Sequence, residues 1–224
     1  VCYTVSDSKD SLYKFSLATG KITKQSYLSG ATSIEAATLN LKGDTLWMLN
    51  ADELYYVKTS SSSFTPSKIS GSNISSQTLT GSEGSLSISD FDAMSVDTAG
   101  NIWAGNTSTN PSLIVVLDRS TGNVKEDYFG PGKDYLKVDN SSYNYLRFDA
   151  MAFDPITNEL YANMNGSSSL YDFVFKVNTS TGEMTLIRQF TTIDDIEGMV
   201  RGFPRKLHVE QNASLSRFIA TSTE

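Results

Sequence analysis

One short phrase returns four times along this chain of 224 residues: an apolar residue, an acid, then two small or sulfur-bearing residues. It reads Ile34-Glu35-Ala36-Ala37, Phe91-Asp92-Ala93-Met94, Phe148-Asp149-Ala150-Met151 and Ile196-Glu197-Gly198-Met199. The acids are 57, 57 and 48 residues apart, and a second apolar step follows each after 10 or 11 residues: Leu46-Trp47, Ile102-Trp103, Leu160-Tyr161 and Leu207-His208. Self-similarity at a period near 40–50 residues, built from short strands, is the signature of a blade-like repeat. Repeats over the whole length predict one domain, 1–224, with units beginning near 33, 90, 147 and 195.

Within a unit the apolar pattern has period two, which reads as strands. In the unit beginning near 147, strands are expected over 147–154, 160–163, 170–178 and 184–190, with turns between them. The last turn carries Thr-Gly, which recurs as Thr19-Gly20, Thr121-Gly122 and Thr181-Gly182. Glycine there supplies the positive φ that tight hairpins need. In the unit beginning near 33, Ser60 to Ser63 replace that turn, so its fourth strand is the least defined.

Four antiparallel strands per unit without helical periodicity predict an all-β fold, a β-propeller of four or five blades. Residues 1–30 supply a second, third and fourth strand, and 195–202 an inner one. Pairing the N- and C-terminal strands would close the ring and remove its edges. Residues 203–224 are left over as surplus strands, expected over 207–211 and 215–220, or as part of a fifth blade. Redundant strands at one end and a missing one at the other suit self-association through terminal strands, head to tail, into a fibre.

The stretch Leu12-Tyr13-Lys14-Phe15-Ser16-Leu17-Ala18-Thr19-Gly20 resembles the LYxxDxxTG-type blades of secreted bacterial β-propeller repeat proteins, and 148–161 resembles their inner-strand phrase. That resemblance implies the fold and carries no activity with it.

A net charge of −7 with only 19% charged residues disfavours nucleic acid or an anionic membrane as partner. No apolar run reaches the 18 residues of a membrane span. The chain starts Val1-Cys2-Tyr3 with neither initiator Met nor signal peptide, which reads as a processed or excised piece. Cys2 is the only cysteine, so no internal disulfide forms, and it reads as a small apolar strand residue. The lysine-poor, Ser/Thr/Asn/Gly/Tyr-rich composition suggests an extracellular or cell-surface glycoprotein. Six sequons point weakly the same way: Asn73, Asn106, Asn140, Asn165, Asn178 and Asn212. Asn165 and Asn178, in expected turns, are the better acceptors.

Innermost strands of a propeller line a central channel, so Glu35, Asp92, Asp149 and Glu197 are expected to form a ring, with Asp90, Asp194 and Asp195 near its mouth. Converging carboxylates suit Ca²⁺, which takes six to eight oxygens. The competing and favoured role is to accept backbone N–H bonds and lock blade to blade. Catalytic residues are not expected. The only histidine, His208, stands where other units have Trp or Tyr, and no nucleophile elbow, zinc pair or P-loop is present. Two long linkers complete the inventory. The Ser/Gly-rich 65–89 is expected to be mobile, and 127–145 to present Tyr128, Phe129, Tyr135, Tyr143 and Tyr145 for carbohydrate or protein contacts, unless the rings fold back over the blades. These features favour a non-catalytic extracellular structural or adhesive propeller, with terminal strands that suit a fibre subunit. A monomeric carbohydrate- or peptide-binding module is the first alternative, and a calcium-dependent propeller hydrolase the second.

Overall fold

The computed structural model describes residues 2–6, 11–16, 19–28, 31, 33–50, 52–61, 65–138, 146–166, 172–190, 208–210 and 219–221. The first sheet is three-stranded, β1 (Cys2–Ser6), β2 (Ser11–Phe15) and β3 (Ile22–Tyr27) in that order. The second contains β4 (Ala36–Leu39), β5 (Thr45–Leu49), β6 (Leu54–Lys58) and β7 (Ser67–Lys68). A 3-10 turn at Ile74–Ser76 and a hairpin, β8 (Leu79–Gly81) with β9 (Gly84–Leu86), follow it. The third sheet contains β10 (Phe91–Val96), β11 (Ile102–Asn106), β12 (Leu113–Leu117) and β13 (Tyr135–Lys137). The fourth contains β14 (Leu146–Phe153), β15 (Leu160–Gly166), β16 (Asp172–Val177) and β17 (Met184–Phe190). Near the C-terminus, β18 (His208–Glu210) and β19 (Ile219–Thr221) pair with each other. Every pairing is antiparallel and joins strands consecutive in sequence.

The strands of the fourth sheet fall where the period-two pattern expects them, over 147–154, 160–163, 170–178 and 184–190. Three mid-sheet strands are buried on both faces: Thr45–Leu49, Ile102–Asn106 and Leu113–Leu117 are buried at every position. β12, Leu-Ile-Val-Val-Leu, owes its conformation to branched side chains that fit a pleated, enclosed surface. The Thr-Gly turns close as expected. Gly20, Gly122 and Gly182 adopt φ of 63°, 72° and 79°, and their amides donate to the carbonyls of Ser16, Asp118 and Asn178.

Successive sheets stack face to face, with an apolar layer between each pair. Leu12, Leu46, Met48 and Val57 fill the first layer. Leu49, Leu54, Phe91, Val115 and Tyr135 lie in the second, and Trp103, Val116, Phe148, Phe153 and Phe175 in the third. The first strands of the sheets adjoin, β10 lying between β4 and β14. Burying one such Leu or Phe contributes roughly 1.5–3 kcal/mol. A half-exposed ion pair such as Lys68–Glu53 contributes about 0–1 kcal/mol. The layers therefore hold the sheets together. Among the described residues the stack does not close into a ring, and the fourth phrase, at 196–199, lies outside them.

Two expectations need correction. The 65–89 linker is folded, because Ile69, Ile74, Leu79 and Ile88 anchor it in the second apolar layer. Ser72, 1% exposed, takes the Leu54 amide on its Oγ at 2.7 Å and donates to the Gly122 carbonyl at 3.2 Å, clipping the second sheet to the third. Gln77 repeats the clip, accepting from the Val124 amide at 2.7 Å and donating to the Val124 carbonyl at 3.4 Å. The second correction concerns the 127–145 linker, which supplies the third sheet's fourth strand at Tyr135–Lys137. Directly after the Thr121-Gly122 turn only Val124 bridges back to Leu117.

Candidate functional site at the innermost strands

The recurrent acid occupies a bulge. On β10, Phe91 pairs with Asn106 and Ala93 with Gly105, leaving Asp92 as the extra residue. On β14, Phe148 pairs with Met164 and Ala150 with Asn163, leaving Asp149 extra in the same way. A bulge re-aims one side chain without ending the strand, so it explains why the acid recurs in a fixed phrase. Glu35 lies one residue before β4, where its amide donates to the Leu49 carbonyl at 3.1 Å. Two residues ahead of the acid, Ser33 and Asp90 hold left-handed φ of 54° and 57°, a conformation that costs of order 1–3 kcal/mol and gathers at constrained sites.

Asp92 and Asp149 lie in different surroundings. Burial pushes the Asp92 carboxyl above the usual range, and the Asp90 charge adds to that; the Thr107 hydroxyl and the Arg147 charge work against it. Asp149 accepts from Asn165 Nδ2 at 2.9 Å and from Asn163 Nδ2 at 3.4 Å. Both asparagines come from β15, where the alternation Asn163-Met164-Asn165 turns them to one face. That alternation was the available sequence signal for them. Nothing in the sequence pointed to Arg147 or Thr107. Glu35 is exposed, Asp92 and Asp149 are half-buried, and Glu197 lies outside the described residues. Among the described residues no three His, Cys, Asp or Glu side chains gather closely enough to hold a metal ion.

The expected aromatic surface is placed differently. Tyr135 is 2% exposed, so its reading as an exposed contact residue is corrected. Its hydroxyl accepts the Glu83 amide at 2.9 Å and donates to the Gly84 carbonyl at 3.0 Å, and Gly81 leaves room for the ring. Tyr128 and Phe129 are half-buried against Trp103, with ring centroids 5.7 and 5.6 Å from it, and Trp103 also meets Phe153 at 5.3 Å. Tyr143 and Tyr145 lie outside the described residues.

The sequons divide as well. Asn106 is fully buried, its amide donating to the Ser89 and Asp90 carbonyls and to Ser108 Oγ, so its reading as a glycan acceptor is corrected. Asn165 donates its amide to Asp149. Asn73 and Asn178 are exposed, while Asn140 and Asn212 lie outside the described residues. His208 begins β18, and Cys2 begins β1.

No protein-family model matches the chain, and no curated protein matches it. Among solved structures, it is similar to hydrazine synthase of Kuenenia stuttgartiensis, with a TM-score of 0.51 and 14% identity over 84% of this chain and 44% of that one. It is similar also to a chain of a nidogen/laminin complex, with a TM-score of 0.51 and 10% identity over 84% of this chain and 60% of the other. The chain thus spans less than two thirds of either. At these identities the likeness is one of fold, and that fold is β-propeller-like. No described helix is long and apolar enough to cross a membrane.

Proposed function

We propose that the chain is a non-catalytic extracellular structural or adhesive module whose copies link head to tail through terminal strands. The observation that supports this reading is the make-up of the first sheet. Its Thr19-Gly20 turn lies between β2 and β3, as Thr121-Gly122 follows β12 and Thr181-Gly182 follows β16, each the third strand of its sheet. β1 therefore takes the place of a second strand. In the other sheets β4, β10 or β14 stands beside that strand, and among the described residues nothing stands there in the first. An open edge presents unpaired N–H and C=O groups, which accept a strand from elsewhere. The fourth copy of the acid phrase, at 196–199, has the sequence of such an inner strand. Donated within the chain, it would close the ring and leave β18 and β19 surplus. Donated to the next copy, it would extend a fibre.

Electron microscopy and light scattering on the full chain, and on a chain lacking residues 195–224, which removes the fourth acid phrase together with the strands after it, test this reading. Fibres or long oligomers from the full chain, reduced to monodisperse monomers by the deletion, are expected. Assemblies that survive the deletion, or a full chain that stays monomeric at every concentration, would overturn terminal linkage.

A further inference from the structure

The third sheet brings an amine, a carboxamide and a carboxylate together in that order. After the Thr121-Gly122 turn the chain makes one bridge, Val124 to Leu117. The next amide, of Lys125, donates to the Val116 carbonyl at 2.8 Å, and Val116 pairs with Trp103 on β11. From there the Lys125 side chain places Nζ 5.5 Å from the centre of the Tyr128 ring and 3.0 Å from Asn101 Oδ1.

Asp97 fixes Asn101 in place. The Asn101 backbone amide donates to Asp97 Oδ1 and its Nδ2 to Asp97 Oδ2, both at 2.8 Å. Asp97 is 4% exposed, and Trp103 Nε1 donates to the same Oδ2 at 3.0 Å. The Asn101 side chain also bonds the Tyr128 hydroxyl, and Tyr128 and Phe129 stand edge-on to Trp103, so aromatic rings wall the cluster. The corresponding turns of two other sheets are used differently. Asn158 Oδ1 takes the Thr98 amide of the third sheet at 2.8 Å. Asn40 Nδ2 closes on Asp44 at 2.7 Å, and Lys58 Nζ donates to Thr45 Oγ1 at 2.8 Å.

We propose that Lys125 and Asn101 join in an intramolecular isopeptide bond. A lysine amine becomes a nucleophile when a neighbouring group takes its proton, and a carboxamide becomes an acceptor when its nitrogen can leave protonated. The Lys125 ammonium gives one proton to Asp97, and the lone pair so freed forms a bond to Asn101 Cγ. The Cγ–Nδ2 bond breaks with its electron pair on nitrogen. That nitrogen takes one further proton from Nζ and one back from Asp97, and departs as ammonium. Asp97 ends as it began, and no oxidant or reductant is consumed. The bond closes a covalent loop from 101 to 125 that contains β11 and β12, and a cross-link of this kind restricts the unfolded chain as a disulfide does. With Cys2 as its only cysteine, the chain has no internal disulfide for that purpose. The cross-link lies within one chain and does not depend on how copies assemble, so either reading can fail without the other.

The intact mass of the denatured full chain, followed by tryptic peptide mapping, tests the proposal. The expected mass is one ammonia below that of the sequence, with residues 101 and 125 in a single branched peptide. Lys125→Arg keeps the charge beside Tyr128 but has no primary amine, so it should show its full mass with native circular dichroism. Asp97→Asn, close in shape to the carboxylate, should also stay unreacted with native dichroism. A wild-type chain of full mass would overturn the bond. So would a loss of ammonia that persists in Lys125→Arg, because it would belong to a succinimide elsewhere. A branched peptide that still forms in Asp97→Asn would overturn the proton path through Asp97.

Discussion

At a bulge between adjoining inner strands a carboxylate loses water on several sides, and Asp92 shows the consequence. Burial is the largest cause of its raised pKa, so the folded chain favours its neutral form. The sign follows from linkage: stability from Asp92 is present below its ordinary value of 3.8 and is lost as pH rises through the higher folded value. At neutral pH the charged form is a cost that Thr107 and Arg147 offset only in part. Asp92→Asn is therefore expected to raise the melting temperature at pH 7, and the gain should shrink towards zero near pH 3.8. Melts that coincide at both pH values would show that Thr107 and Arg147 compensate fully. Asp149 differs although it occupies the same bulge in the same phrase. Two asparagine amides solvate it from its own sheet. The repeat thus fixes where the acid sits, and the neighbouring strand decides its chemistry.

At the scale of elements, the Thr-Gly turn allows a comparison between repeats. Gly20 and Gly182 share a left-handed backbone, φ of 63° and 79°, but a Cβ on Gly20 would meet nothing within 4 Å. On Gly182 it would come within 2.0 Å of the Lys137 carbonyl oxygen on the neighbouring sheet. Gly20→Ala should therefore cost only the conformational penalty, about 1–2 kcal/mol. Gly182→Ala should cost more, because backbone must move as well. Equal losses in urea titration of the two variants would show that the fourth sheet's turn does not press on β13. The sequence makes the turn legible because its chemistry is local: one residue must tolerate positive φ. The acid phrase is legible because a bulge has a fixed local form. The fold of 65–89 was not legible, since Ile69, Ile74, Leu79 and Ile88 follow neither period two nor period 3.6. Each is anchored by a layer built from distant strands. The same holds for Tyr135, which reads as an exposed loop aromatic until β12 and the β8–β9 hairpin enclose it. Asn106 reads as a sequon because burial by Ser89 and Asp90 leaves no trace in the tripeptide.

For the whole molecule, the stacking order sets a gradient of stability. Among the described residues, the third sheet has apolar layers on both faces and the fourth has the Phe148–Phe175 layer on one. Ala104, Ile114, Val115, Val116 and Leu117 are completely buried, so exposing their amides requires both layers to separate. β3 and β17 lie at outer edges with exposed side chains, and their amides can open by local fraying. Native-state hydrogen exchange should therefore find the slowest amides on β11 and β12. β3 and β17 should exchange at least about a hundredfold faster, a difference of ~3 kcal/mol in opening free energy. The same measurement reads how the ends are joined. If β1 gains an inner strand in solution, its amides should be protected to a degree nearer those of β5 and β11, the second strands of their sheets. If the protection of β1 also grows with protein concentration while that of β12 does not, the strand comes from another copy. Protection that is uniform over all four sheets would mean that the molecule opens as one closed unit, and the gradient drawn from the layers would not hold.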